Sequence, residues 1–210
     1  MLKIAHRGHS SLYGDNNMLS FQKAYEDGFD VIEMDIQLTA NKEIVVFHDL
    51  FVDDILIRNM VTQDVAKHGV LLLKEVFEEF RYANVILYLD LKGSVEVAKQ
   101  LVFLLQSIKY PLDKIWVASL NKNHLYVLMC SPIKVTMGFI TANSFYDCEY
   151  EQLLQDIDFI VCDISILNTS VVKNMKDLKK GIFVYTANTK QHIQYIKKFD
   201  VDGIISNILF

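Results

Sequence analysis

Two prolines and eight glycines in 210 residues leave no stretch with the composition of a flexible linker. No run of like charges divides the chain either, so a single domain over residues 1–210 is expected. The three cysteines, Cys130, Cys148 and Cys162, are odd in number and lack CxxC spacing. That excludes a disulfide framework and fits reduced thiols in packing roles. No run of about 18 apolar residues spans a bilayer. The first strand starts at Leu2 without a charged leader, which gives the expectation of a cytoplasmic protein whose Asn168-Thr169-Ser170 sequon is silent. Lys and Arg number 21 against 26 Asp and Glu, a net charge of −5, and they are scattered. A broad nucleic-acid footprint and stable membrane insertion are thereby excluded.

What the chain does have is hydrophobic residues, 51% of the total, arranged in two alternating periods. Eight short apolar runs rich in β-branched residues read as strands: Leu2–Ala5, Val31–Ile36, Val85–Leu91, Ile115–Ser119, Lys134–Ile140, Phe159–Ile164, Ile182–Thr186 and Gly203–Ser206. Between them the spacing becomes helical. Ala98, Leu101, Val102 and Leu105 share one face of a helix over 94–107 with Ser94 as its cap, and Met18, Phe21 and Tyr25 line a helix that Gly28 ends. Asn121, Thr169 and Thr189 are expected to cap later helices. The stripes Leu125–Leu128–Met129, Val171–Met175–Leu178 and Ile193–Ile196 read as core faces. Strands apolar on both faces, alternating with helices, predict an α/β fold of the (β/α)8 TIM-barrel type. The chain stops at Ile208-Leu209-Phe210, so an eighth helix is expected to be missing. The helix ring is then open next to the last strand, and that exposed strand with its apolar tail allows a homodimer. Phe51–Leu73 is longer and less periodic than the other connections and reads as a partly helical excursion.

In such a barrel chemistry sits at the carboxyl ends of the strands, and costly residues gather there. The first strand runs into His6, Arg7 and Gly8. The second carries Glu33 and Asp35, whose i, i+2 spacing puts both carboxylates on one side. Two acids facing an apolar interior call for a compensating charge, and an oxygen-liganded divalent ion is the simplest. "EIVVFHDL" ends in His48-Asp49, a carboxylate placed to orient an imidazole. The third long strand carries Asp90, able to complete a three-carboxylate cage, and Lys92, able to hold an anion. His9, His68, His124 and His192 read as loop or helix residues, and Asp53-Asp54 and Glu78-Glu79 as solvated pairs.

With these residues assembled, the chain resembles the glycerophosphodiester phosphodiesterase family. Its HRG appears as His6-Arg7-Gly8, its P-E-N-T element as Gly14-Asp15-Asn16-Asn17, and its G-x-D-x-I-E-x-D strand as "GFDVIEMDIQLT" from Gly28 to Thr39. V-x-x-H-D appears as "VVFHD" from Val45 to Asp49. Weaker matches continue through "LYLDLKG", "VASLN", "VYTAN" and "DVDGIISN". The resemblance implies a phosphodiesterase of lipid metabolism that releases an alcohol and glycerol 3-phosphate from a small-molecule phosphodiester, using a divalent cation, Ca²⁺ or Mg²⁺ with Mn²⁺ as a further option. By position it implies Glu33, Asp35 and Asp90 as metal ligands, His6 and His48 as the acid/base pair, Arg7 and Lys92 on the phosphate, Tyr185 lining the pocket, and Ser119 and Asn121 near its rim. Asp15 and Asp90 replace the family's usual Glu, each withdrawing a carboxylate by roughly 1.5 Å, and Asn207 replaces a common Asp. Phe51–Leu73 is shorter than many relatives' capping insertion, which leaves room for a lysophospholipase D-like specificity. A non-catalytic barrel that binds phosphate ligands or a partner is the alternative from another class.

Overall fold

The computed structural model describes residues 1–210, apart from the side chains of Asp147 and Cys148; the packing role expected of Cys148 lies outside the described residues. Twelve strands form in chain order: β1 (Leu2–Ala5), β2 (Val31–Leu38), β3 (Ile44–Val46), β4 (Phe51–Val52), β5 (Ile55–Leu56), β6 (Leu71–Leu72), β7 (Ile86–Leu91), β8 (Ile115–Ser119), β9 (Thr136–Thr141), β10 (Phe159–Asp163), β11 (Gly181–Ala187) and β12 (Gly203–Ser206). Eight of them, β1, β2 and β7 to β12, are all parallel, and β1 pairs with both β12 and β2, which closes the (β/α)8 barrel. These are the eight runs read from the sequence, with ends displaced by a few residues. β12 is hydrogen-bonded on both sides, to β1 and β11, and all four of its residues are buried, so the exposed last strand expected as a dimer surface is not found. No helix follows it in residues 207–210.

Alternation along each strand sorts side chains into two cores. Inside the barrel, Ile4, Val31, Tyr88, Ala118, Val161, Phe183 and Ile205 surround Phe159. Phe159 lies edge-on to Tyr88 and Phe183 and tilted against Trp116, at centroid distances of 6.1, 5.1 and 5.4 Å. Gly138 makes room for it: a Cβ there would stand 2.0 Å from the Phe159 ring. Outside, Ile32, Met34, Ile36, Leu87 and Leu89 meet Phe21, Leu73, Phe77, Ala98 and Leu101 of the helices. A second outer cluster joins Leu125, Val171, Met175, Ile193 and Ile196 to the β10–β12 side, as the helical stripes predicted.

Local signals held in part. The helix Met18–Glu26 ends before Gly28, at φ 83°, and Asn121 and Thr189 cap their helices by accepting from Asn123 N and His192 N. Thr169 does not: Asn168 accepts from Val171 N and Thr169 is the first helical residue. Ser94 is no side-chain cap either, because that helix begins at Glu96. The excursion after β3 holds the small β4–β5 hairpin, a short helix Thr62–Ala66 and β6, around a satellite cluster of Val45, Val52, Ile57, Met60, Val65 and Val70. Cys162 is buried in the core as expected, but Cys130 is exposed. No helix among the described residues is long and apolar enough to cross a membrane.

Candidate active site

β2 and β7 build the acidic centre. Their register sets Glu33 opposite Tyr88 and Asp35 opposite Asp90, so inward positions that are apolar at the barrel floor become carboxylates near its carboxyl end. Glu33, Asp35 and Asp90 are 3%, 1% and 8% exposed, and one carboxylate oxygen from each lies within 4.8 Å of the others. Lys92 Nζ bridges Asp90 Oδ2 at 2.5 Å and Asp35 Oδ1 at 3.2 Å.

The β1 loop closes the other side. Arg7 adopts a left-handed backbone, φ 58°, which turns its N–H onto Glu33 Oε2 at 2.8 Å while the guanidinium reaches Asp15 Oδ2 at 2.8 Å and Asp35 Oδ2 at 3.0 Å. Gly8 must be glycine, since its φ is +83° and a Cβ would sit 2.4 Å from Ser20 Oγ. Asn16, also left-handed and buried, clamps Asp35 from both ends: Nδ2 donates to Oδ2 at 2.9 Å and Oδ1 accepts from Asp35 N at 3.2 Å.

Two imidazoles face this centre. His48 Nδ1 lies 2.8 Å from Asp49 Oδ1, the partner read from the sequence. Its loop is held from below by buried Gln37, whose Nε2 donates to the carbonyls of Phe47, His48 and Asp49 at 2.9, 3.1 and 2.6 Å. His6 Nδ1 lies 2.6 Å from Asn207 Oδ1. Together with Arg7, Glu33, Asp35, Asp90, Lys92, Tyr88 and Tyr185, both histidines line a cavity of about 230 Å³. Lys92 also lines a neighbouring cavity of about 550 Å³, bordered by Lys42, Arg58, Leu38, Leu50 and Leu56.

The electrostatics follow from burial and from three acids meeting two cations. Burial first, then Asp35 and Asp90, raises Glu33 well above the ordinary carboxylate range. Burial pushes Asp90 up to about 6 against the pull of Lys92. Burial acts upward on Asp35 too, yet Lys92 and Arg7 outweigh it and hold that group below its usual value. His6 is lowered by burial and then by Arg7.

The centre fits a divalent cation. Asp90 Oδ1 is buried without a hydrogen-bond partner, a costly state for a carboxylate oxygen, and the donor set is all oxygen, as hard cations prefer. Arg7 and Lys92 supply two positive charges against three acids.

The remaining expectations divide. Tyr185 lines the pocket, whereas Ser119 is fully buried and pairs with His124 Nδ1 at 2.8 Å, leaving Leu120 at the mouth instead. Asn121 serves as a helix cap. His9 is buried against Asp27 at 2.6 Å, His68 pairs with Asp53, and His192 accepts from Asn188 N. Asn16, Gln37 and Asn207 are site residues that no single-residue signal marked.

The family model for the glycerophosphoryl diester phosphodiesterase family matches residues 6–94, the segment that holds every site residue named here except Leu120, Tyr185 and Asn207. Over these residues the chain is similar to the glycerophosphoryl diester phosphodiesterase family. A glycerophosphodiester phosphodiesterase of Caldanaerobacter subterraneus is 22% identical over 98% of this chain and 93% of its own length. An uncharacterized protein of Mycoplasma genitalium is 29% identical, over 57% of this chain and 59% of its own length. The fold matches that of an Oleispira antarctica phosphodiesterase solved with sn-glycerol-3-phosphate, at a TM-score of 0.88, 20% identity and coverage of 99% and 93%. At that identity the likeness is one of fold. Asp15 pairs with Arg7 and stays half exposed.

Proposed function

We propose that this protein, acting as one domain over residues 1–210, hydrolyses glycerophosphodiesters to an alcohol and glycerol 3-phosphate. The observation that carries the reading is the buried triad of Glu33, Asp35 and Asp90 with its unpartnered Asp90 Oδ1, set between two imidazoles in one cavity. A divalent cation held by these three acids, Ca²⁺, Mg²⁺ or Mn²⁺, would supply Lewis-acid polarisation of the phosphate. Arg7 and Lys92, on opposite sides of Asp35, neutralise the remaining phosphate charge. One histidine removes the proton of the attacking hydroxyl, and the other protonates the departing alcohol oxygen. Tyr185 forms a wall of the pocket.

A diester has two arms, and the neighbouring 550 Å³ cavity, which shares Lys92 with the site, offers room for the second. Leu50, Phe51 and Ile55 are each at least half exposed on the hairpin loop beside it. That apolar rim supports a lysophospholipid as an alternative substrate, cleaved in lysophospholipase D fashion, and with it a role in lipid metabolism. Free thiols at Cys130 and Cys162 accord with a cytoplasmic location. Leu209, 40% exposed in the tail, is the surface for a homodimer, which a monomeric mass by light scattering would exclude.

The deciding assay measures alcohol release from glycerophosphocholine, glycerophosphoethanolamine and a lysophospholipid with each cation and with EDTA. Cation-dependent release is expected; a chain that binds these diesters and releases nothing is instead a non-catalytic phosphate-binding barrel.

A further inference from the structure

His6 and Asn207 are separated by 201 positions in the chain and meet only because β1 and β12 are neighbours in the closed barrel. Asn207 is fully engaged. Its backbone N–H donates to Ala187 O at 3.3 Å, and its carbonyl accepts from Ser11 N at 3.2 Å. Its side-chain Nδ2 donates to Asn188 Oδ1 at 2.7 Å, which leaves Oδ1 to face His6 Nδ1 and to accept from Ser10 Oγ at 3.1 Å. An amide oxygen only accepts, so the imidazole nitrogen it touches must carry the hydrogen. His6 Nε2 has no hydrogen bond to the described residues and belongs to a ring that lines the cavity.

The geometry points to Asn207 as a positioning residue for this reaction: buttressed by Asn188 and Ser10, its amide holds His6 in the Nδ1–H tautomer and presents the Nε2 lone pair to the attacking hydroxyl. His6 is therefore the base. The Nδ1–H···Oδ1 bond survives when Nε2 gains a proton, so the loop need not rearrange during the step. With the amide reversed, Nδ1 would accept and Nε2 would already carry the hydrogen, leaving it no lone pair for the hydroxyl proton. As the new P–O bond forms, the hydroxyl proton passes to His6 Nε2. The old P–O bond breaks with its electron pair going to the alcohol oxygen, which takes a proton from His48. An amide adds no charge, unlike Asp49 beside His48, and burial with Arg7 holds His6 below the ordinary imidazole value against the opposing pull of the Asn207 hydrogen bond, Asp35 and Asp15.

This inference rests on the phosphodiesterase reading for the base's role, but the tautomer is measurable without turnover. Nitrogen NMR of histidine-labelled protein, with His6 assigned by the loss of its signals in His6→Gln, should show Nδ1 protonated and Nε2 bare at neutral pH. An Nε2–H tautomer overturns the assignment. In kinetics, Asn207→Leu should lower kcat about 10- to 100-fold with KM little changed, part of the 10² to 10⁴ a general base contributes. Asn207→Asp should keep the acceptor and move the acidic limb of kcat/KM upward by roughly one pH unit, because a carboxylate favours the imidazolium. Folded Asn207→Leu with unchanged kcat and pH profile also overturns it. If that variant melts early, Asn188→Ala tests the buttress from outside, with a smaller loss of kcat expected and an unaltered rate counting against the inference. Absence of turnover by the parent chain on every diester defeats the phosphodiesterase reading and leaves the tautomer to the spectrum.

Discussion

Asp35 and Asp90 stand directly opposite each other on neighbouring parallel strands. Like charges in that position destabilise a sheet, and here both are buried, with Glu33 beside them. The arrangement makes sense when positive charge is delivered to it, and Arg7 and Lys92 deliver only part.

Stability of the cation-free protein should therefore depend on pH. Burial raises Glu33 well above its ordinary value and Asp90 to about 6. A carboxyl group raised in the folded state stabilises that state below the ordinary carboxylate pKa and loses the contribution as pH climbs through the folded value. With EDTA present, Tm should fall as pH rises from about 4 past 6, by an amount on the order of a few kcal/mol in stability. Added divalent cation should restore Tm more strongly at pH 7 than at pH 5. Asp35 runs the other way and affects only more acidic solutions, because its folded value lies below the ordinary one. A Tm in EDTA that is flat across this range would contradict the coupling.

His48→Ala should lower kcat by about 10² to 10⁴ and leave circular dichroism and Tm close to those of the parent, because the ring is partly exposed and its hydrogen bond runs to the exposed Asp49. Parent-like turnover would remove His48 from the mechanism.

Gln37→Ala should act on both stability and rate. Three carbonyls of the His48 loop lose their donor, which costs about 1 to 3 kcal/mol and frees the loop that carries His48. Urea denaturation and steady-state kinetics on the same preparation check the two effects; lower stability with an unaltered rate would separate the loop from catalysis.

Gly138→Ala tests the barrel floor. Its methyl group would enter the space of the Phe159 ring, and overpacking of this kind costs roughly 1 to 3 kcal/mol or more. A drop in Tm is expected; an unchanged melt would mean that Phe159 yields freely.

The eight strands were legible because parallel barrel strands are buried on both faces and so read as near-continuous apolar runs. The acidic triad was legible because i, i+2 spacing on a strand fixes the side to which two carboxylates point. Asn16 was not, since its grip on Asp35 depends on a left-handed turn at φ 52° that links residues 19 apart. Nothing in the local sequence tells an inward glutamine that holds a loop from an exposed one, so Gln37 passed unremarked, one residue past the end read for a strand that in fact runs to Leu38. Asn207 was visible only as a departure from a family pattern, because its partner lies at the other end of the chain. The β4–β5 hairpin was missed for a simpler reason, as two-residue strands are too short to show a period. Asn168 and Thr169 are adjacent cap-forming residues, and propensity alone does not choose between them.

The central claim is that Glu33, Asp35 and Asp90 together hold a divalent cation on which hydrolysis depends. The most direct measurement is calorimetric titration of Ca²⁺, Mg²⁺ and Mn²⁺ into EDTA-stripped protein and into Glu33→Gln, with diester hydrolysis followed on the same samples. One site per chain that restores activity, and loss of both binding and activity in Glu33→Gln, is the predicted result. Full hydrolysis by the stripped protein, or undiminished cation binding and turnover in Glu33→Gln, would contradict it.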